Sequence, residues 1–192
     1  RKGTGGKSMK KFSSALVLFA LCMFFFLGVV NAGGKIQLST NGTIYIDAEQ
    51  TWIQDVIDEL VRDMMMLYNK KEVMVYNTIQ MYRTDRLEFL KLAHQHALQN
   101  NYKLGIKIVR GAYMERERER AARLGYPSPI HPDKENTDMA YDAALKYAVE
   151  NIDRVSIFNG THNEKSISLL TELMEEHRIS RDDFRCYFSQ LY

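Results

Sequence analysis

Residues able to bind or move charge gather where short apolar runs stop. The run at 43–46 (TIYI) leads into Asp47, Ala48, Glu49 and Gln50, and the run at 73–76 (VMVY) into Asn77, Thr78, Ile79 and Gln80. The run at 106–109 is followed by Arg110, Gly111, Ala112 and Tyr113. The run at 155–158 leads to Gly160, Thr161, His162 and Asn163, and 184–188 to Ser189 and Gln190. An acid, amides, cations and hydroxyls facing one bowl can orient a small polar substrate. Arg110 beside a glycine, where backbone can approach closely, suits an anionic or phosphate-bearing ligand. Each residue also has a plainer use: Asp47 can cap a helix near Thr51, Asn77 can shape a turn, and Thr161 can cap the next helix. Repetition at five consecutive strands favours a shared site over five separate accidents.

Such a site requires the strands to lie side by side and point the same way. Between them the hydrophobic period changes to that of a helix. Trp52, Ile53, Val56, Ile57, Leu60, Val61 and Met64 follow the first strand. A helix starting at a Thr84 cap carries Leu87, Leu90, Ala93, Ala97 and Leu98, and a third spans 114–124 and ends at Gly125. All three prolines fall in the loop at 125–135, and further helices are predicted over 137–151 and 164–177. Alternating strands and helices imply a parallel sheet covered by helices. No Gly-x-Gly-x-x-Gly turn follows the first strand, which removes the main support for an open dinucleotide-binding sheet. The expected fold is α/β: about five βα units of a (β/α)8 TIM-like barrel, a complete one taking ~250 residues.

Composition excludes other classes. The chain has 192 residues, 45% hydrophobic and 26% charged, which is a globular balance. Its net charge of +2 hides an asymmetry, because five of the 26 basic residues and none of the 24 acidic ones precede residue 33. The rest is net acidic, so no nucleic-acid partner is expected. Two cysteines cannot build a disulfide framework. Residues 1–32 read as a leader, with Lys10 and Lys11 before the uncharged run ALVLFALCMFFFLGVV at 15–30 and small residues after it, the layout of a signal peptide or apolar anchor helix. Residues 33–42 read as a linker and 43–192 as the partial barrel.

Several tempting motifs carry little. Gly6, Lys7 and Ser8 match the end of a phosphate loop, but no strand precedes them. His94 and His96 lie two apart on a helix, point in different directions and read as a solvated face, so no metal site is expected. The Glu/Arg run at 115–120 reads as an exposed helix face. The sequons at Asn41 and Asn159 read as chance.

At the strand ends the sequence resembles proline dehydrogenase. The stretches IDAEQTW (46–52), VYNTIQMY (75–82), GIKIVRGAYMERERERAARLGYPSPI (105–130), GTHNE (160–164) and YFSQLY (187–192) occur in that family's order. The resemblance implies a distorted (β/α)8 barrel binding FAD over its strand ends. It implies oxidation of L-proline to 1-pyrroline-5-carboxylate, electrons passing to a membrane quinone, and a 1-pyrroline-5-carboxylate dehydrogenase as a possible partner. The family's usual place is the cytoplasmic side of the inner membrane or the mitochondrial interior, with which the signal-like leader conflicts.

By the same resemblance Asp47 is the active-site aspartate, and Lys107 is the cation near the reactive edge of the flavin, able to stabilise the electron-rich reduced ring. Tyr113 walls the proline pocket. Gln80 hydrogen-bonds the isoalloxazine, while Ala48, Arg110, Gly111, Ala112, Thr161, His162 and Asn163 line the cofactor and Lys134 lies near its pyrophosphate. The family's substrate lysine, on its first barrel strand, and its paired carboxylate-binding arginines, on its last helix, have no match. The 192-residue chain alone is therefore expected to be an inactive fragment. The alternatives are a non-catalytic remnant with a membrane or secretion leader, and a phosphate-binding aldolase or isomerase that would bind no FAD.

Overall fold

The computed structural model describes residues 36–38 and 42–190. The leader at 1–32 lies outside the described residues. Among the described residues no helix is long and apolar enough to cross a membrane.

One six-stranded sheet runs in the order β1-β2-β3-β4-β5-β6. β1 (Ile36–Leu38) pairs antiparallel with β2 (Ile44–Ile46). The predicted linker thus contains a short edge strand, one whose three residues are too few to show a sequence period. β2, β3 (Val75–Gln80), β4 (Leu104–Val109), β5 (Val155–Gly160) and β6 (Cys186–Ser189) are all parallel neighbours. Five parallel strands with helices between them form half of a barrel, the expected fold class.

The helices are α1 (Thr51–Tyr68), α2 (Arg86–Gln99), α3 (Met114–Leu124), α4 (Lys134–Glu150) and α5 (Glu164–Glu176). Their ends follow local chemistry. Asp133 caps α4 by accepting from the Asn136 N–H at 2.8 Å, Asn163 caps α5 by accepting from the Ser166 N–H at 3.1 Å, and Gly125 ends α3 in the left-handed region at φ +72°. Thr84 is not a cap; its hydroxyl bonds the Pro129 carbonyl, and α2 starts at Arg86.

Strand pleating sorts residues between two faces. Outward residues Ile79, Leu104, Ile106, Ile108, Val155 and Ile157 pack with Tyr141, Leu145 and Val149 of α4 in the buried core. The inward face carries an aromatic row: Tyr45 stacks near Tyr76 and Phe158, with centroids 4.9 and 4.6 Å away, and Phe158 lies 6.3 Å from Tyr187. β3 continues four residues beyond the expected 73–76, so Asn77 is inside it, and its amide turns outward to Asp58 of α1 at 2.8 Å. Asn77 therefore belongs to the helix-packing face and not to the bowl.

Candidate functional site

Inward residues near the strand ends build a charged centre. Lys107 of β4 stands in register between Thr78 and Phe158, so its side chain enters the bowl beside the aromatic row. Its ammonium lies 2.7 Å from an Asp47 oxygen and 5.8 Å from the Phe158 ring centroid. Both members of the pair are largely withdrawn from water, with side-chain exposures of 13% and 24%. Asp47 is thus an ion-pair partner and not a helix cap.

Gln80, at the last position of β3, ties two loops together. Its Nε2 donates to the Glu49 carbonyl at 2.8 Å and its Oε1 accepts from the Ala112 N–H at 3.1 Å. Ala48, Glu49, Ala112 and Tyr113 are therefore held around one buried amide. Burial holds the Tyr113 hydroxyl up to about 12, the neighbouring Glu49 adding to it.

Gly111 adopts φ +136°, and a Cβ there would come within 2.3 Å of the Tyr82 ring. The glycine is therefore required by the close approach of Tyr82 beneath the loop.

Arg110 forms the second charged centre. Its Nε donates to Asp138 at 2.6 Å, and its terminal nitrogens donate to the Thr161 hydroxyl at 2.8 Å and the Ser166 hydroxyl at 3.0 Å. The guanidinium also lies 4.4 Å over the Tyr141 ring, and Lys134, at the first position of α4, pairs with the same Asp138. Both cations hold the Asp138 carboxyl below the usual range against the opposing effect of burial. Thr161 receives Arg110 and accepts from the Asn163 N–H at 3.0 Å, which fixes the turn carrying His162. The side-chain oxygen of Asn163 is used by its own helix.

The alternating Glu/Arg run hides a buried residue. Glu117 is fully buried, accepting from the Thr51 N–H at 2.6 Å and the Thr51 hydroxyl at 2.7 Å. It satisfies the first turn of α1 from another helix and corrects the expectation of an exposed face; Ala121, one turn on and also buried, is the available sequence signal. Arg120 of the same run covers the half-exposed Trp52, its guanidinium 4.5 Å from the ring centroid. His94 is likewise buried and hydrogen-bonded to the Tyr147 hydroxyl at 2.9 Å, not solvated as expected.

The donor set fits a dinucleotide carrying a flavin. Lys107 near the end of β4, Arg110 just after it and Lys134 at the start of α4 are cations of the kind a diphosphate or an electron-rich reduced ring would need, and each is paired with a carboxylate, Asp47 or Asp138. Among the described residues no group of three or more metal-binding side chains occurs.

The family model described as proline dehydrogenase matches residues 35–192. The carbapenem antibiotics biosynthesis protein CarD of Pectobacterium carotovorum is 40% identical over 127 residues, 66% of this chain and 33% of its own. Human mitochondrial proline dehydrogenase 1 is 34% identical over 151 residues, 77% of this chain and 25% of its own, and the Drosophila melanogaster protein is 35% identical over 158 residues, 77% and 23%. The chain thus spans between 23% and 33% of the length of these relatives. Among solved structures, proline utilization A from Bdellovibrio bacteriovorus, inactivated by N-propargylglycine, superposes with a TM-score of 0.73 at 23% identity, covering 78% of this chain and 16% of that one. At that identity the likeness concerns the fold.

Proposed function

Because the chain belongs to the proline dehydrogenase family, we propose that it supplies the strand-end half of a site that oxidises L-proline to 1-pyrroline-5-carboxylate with FAD. The observation that carries this reading is the Lys107–Asp47 pair at 2.7 Å, set on the inward face beside the Gln80 bridge. A partly exposed pair of this kind adds little to stability by itself, so its place on the inward face favours a role in binding.

When bound, FAD supplies the two-electron acceptor for the hydride leaving proline C5, with a proton lost from the ring nitrogen. Lys107 would supply positive charge to the reduced ring, and Asp47 fixes that ammonium in position. Gln80, locked between Glu49 and Ala112, would hold the loops that carry Ala48 and Tyr113 in place for the cofactor. Ala48 and Gly111 belong to the two loops that would border a bound flavin. Tyr113 closes one side of the substrate pocket and excludes water. Arg110 and Lys134 bring charge to the diphosphate, while Arg110 also orders the turn at Thr161, His162 and Asn163. Holding the reacting carbon and excluding water is the protein's share of the work, since the cofactor performs the redox chemistry.

A membrane quinone is the acceptor consistent with this reading, and a 1-pyrroline-5-carboxylate dehydrogenase is the partner that would consume the product. The mitochondrial names of the human and Drosophila relatives support the mitochondrial interior as its location.

The test is to purify the protein expressed from its native gene and record its visible spectrum and proline-dependent dye reduction. Flavin bands that bleach with L-proline are expected. A preparation that is folded, binds no flavin when supplied with FAD and leaves the dye unreduced would overturn the proposal.

A further inference from the structure

Three carboxylates among the described residues are buried: Glu49, Asp58 and Glu117. Asp58 accepts from Gln54, Asn77 and Arg86, and Glu117 accepts twice from Thr51. Glu49 is only 3% exposed, yet neither of its carboxyl oxygens has a partner at hydrogen-bonding geometry. A buried carboxyl without partners is costly, so one retained beside a bowl needs a reason.

The backbone leaves Glu49 little freedom. Its N–H donates to the Gln54 side chain at 2.6 Å and its carbonyl accepts from Gln80 at 2.8 Å. The groups that face its carboxyl are the Tyr113 hydroxyl, Asp47 and Arg116. Burial raises the Glu49 carboxyl and Asp47 raises it further, while Tyr113 and Arg116 oppose them. Tyr113 lies at the turn into α3, where its carbonyl accepts from the Glu117 N–H at 3.0 Å. That backbone bond fixes the start of the helix and not the torsions of the Tyr113 side chain.

We propose that Glu49 is a positioning residue, whose buried carboxyl faces the Tyr113 hydroxyl and holds the Tyr113 ring in place as the wall of the substrate pocket. This rests on the proline-oxidising reading given above. The Tyr113 hydroxyl and the Glu49 carboxyl stand close enough to act on one another electrostatically, and both belong to segments tied together by the Gln80 bridge. Glu49 thereby acts through Tyr113 and not on the reacting atoms.

The experiment combines Glu49→Met, which keeps side-chain volume and removes the acceptor, with Glu49→Gln, Tyr113→Phe and the double variant Glu49→Met/Tyr113→Phe, all in the protein expressed from its native gene. Glu49→Met is expected to raise KM for L-proline about fivefold with kcat unchanged within about twofold, the pattern of lost binding common to ground and transition states. Glu49→Gln restores KM, Tyr113→Phe matches Glu49→Met, and the double variant is no worse than either single one. A KM unchanged by Glu49→Met, or effects that multiply in the double variant, would overturn the proposal. Unfolding midpoints of the same four proteins give a readout independent of turnover. Absence of coupling between residues 49 and 113 there refutes the contact. Coupling without any proline oxidation by the parent protein refutes the pocket role and the functional reading together, leaving only a structural contact.

Discussion

Replacing Gly111 by Ala tests the loop on which the site depends. The new Cβ would stand 2.3, 2.5 and 2.6 Å from three atoms of the Tyr82 ring, distances at which something must move. Tyr82 has little room to give: it is 4% exposed, its N–H donates to the Arg110 carbonyl at 2.7 Å, and its carbonyl accepts from the His131 N–H at 2.8 Å. Two costs add. Forcing a side chain onto a backbone at φ +136° costs about 1–3 kcal/mol, and overpacking a buried ring costs about 1–3 kcal/mol more. A central value of about 4 kcal/mol corresponds to a fall in Tm of about 8–16 °C for a domain of this size. Thermal and urea unfolding of the parent and variant proteins measure it. In a Tyr82→Ala background the clash is relieved, and Gly111→Ala should then cost only the backbone share of about 1–3 kcal/mol. The same substitution pulls the Ala112 N–H from Gln80, so flavin content should fall with stability. A Gly111→Ala protein within about 0.5 kcal/mol of its parent would refute the packing argument.

Glu117→Ala removes the acceptor of two Thr51 donors and should lower stability by about 1–3 kcal/mol, read from urea midpoints, whereas Glu117→Gln, which keeps an acceptor, should lose less. Arg110→Lys cannot reproduce three separately directed contacts, so flavin retained on gel filtration should drop while secondary structure by circular dichroism stays the same. His94 is held below its ordinary value of 6.5 by burial and by Arg154. The unfolded chain therefore binds its proton first as pH falls; the His94 contribution is present above about pH 6.5 and is lost as pH falls through the lowered folded value. Denaturation midpoints measured from pH 7.5 to 5 should decline less steeply in His94→Gln than in the parent protein.

The parallel order of the strands was legible because each buried strand is a short apolar run and each return passes through a helix-period stretch. The limits of α3 were equally plain, since Gly125 marks its end. Asp47, Gln80 and Tyr113 stood out by their place at the strand ends, which converge in a parallel barrel whatever the side chains are, whereas Lys107, inside the run at 106–109, was singled out only by the family resemblance. Asn77 was misplaced by a strand boundary: β3 continues to Gln80, and alternation then sends Asn77 to the outer face. A strand whose residues are all buried shows no polar-apolar alternation by which to detect this.

Sequence by itself determined the fold class, the order of the elements and the set of polar residues at the strand ends, because hydrophobic period, turn residues and chain direction are local properties. Only the tertiary structure decided which of these residues are partnered. Asp47 meets Lys107 across 60 positions, Thr51 meets Glu117 across 66, and Arg110 meets Thr161 across 51. Glu49 finds no partner at all at hydrogen-bonding geometry. Burial and pairing arise when separate segments exclude water from the same volume, and no local pattern in a charged helix such as α3 states which of its carboxylates will lie on the covered side.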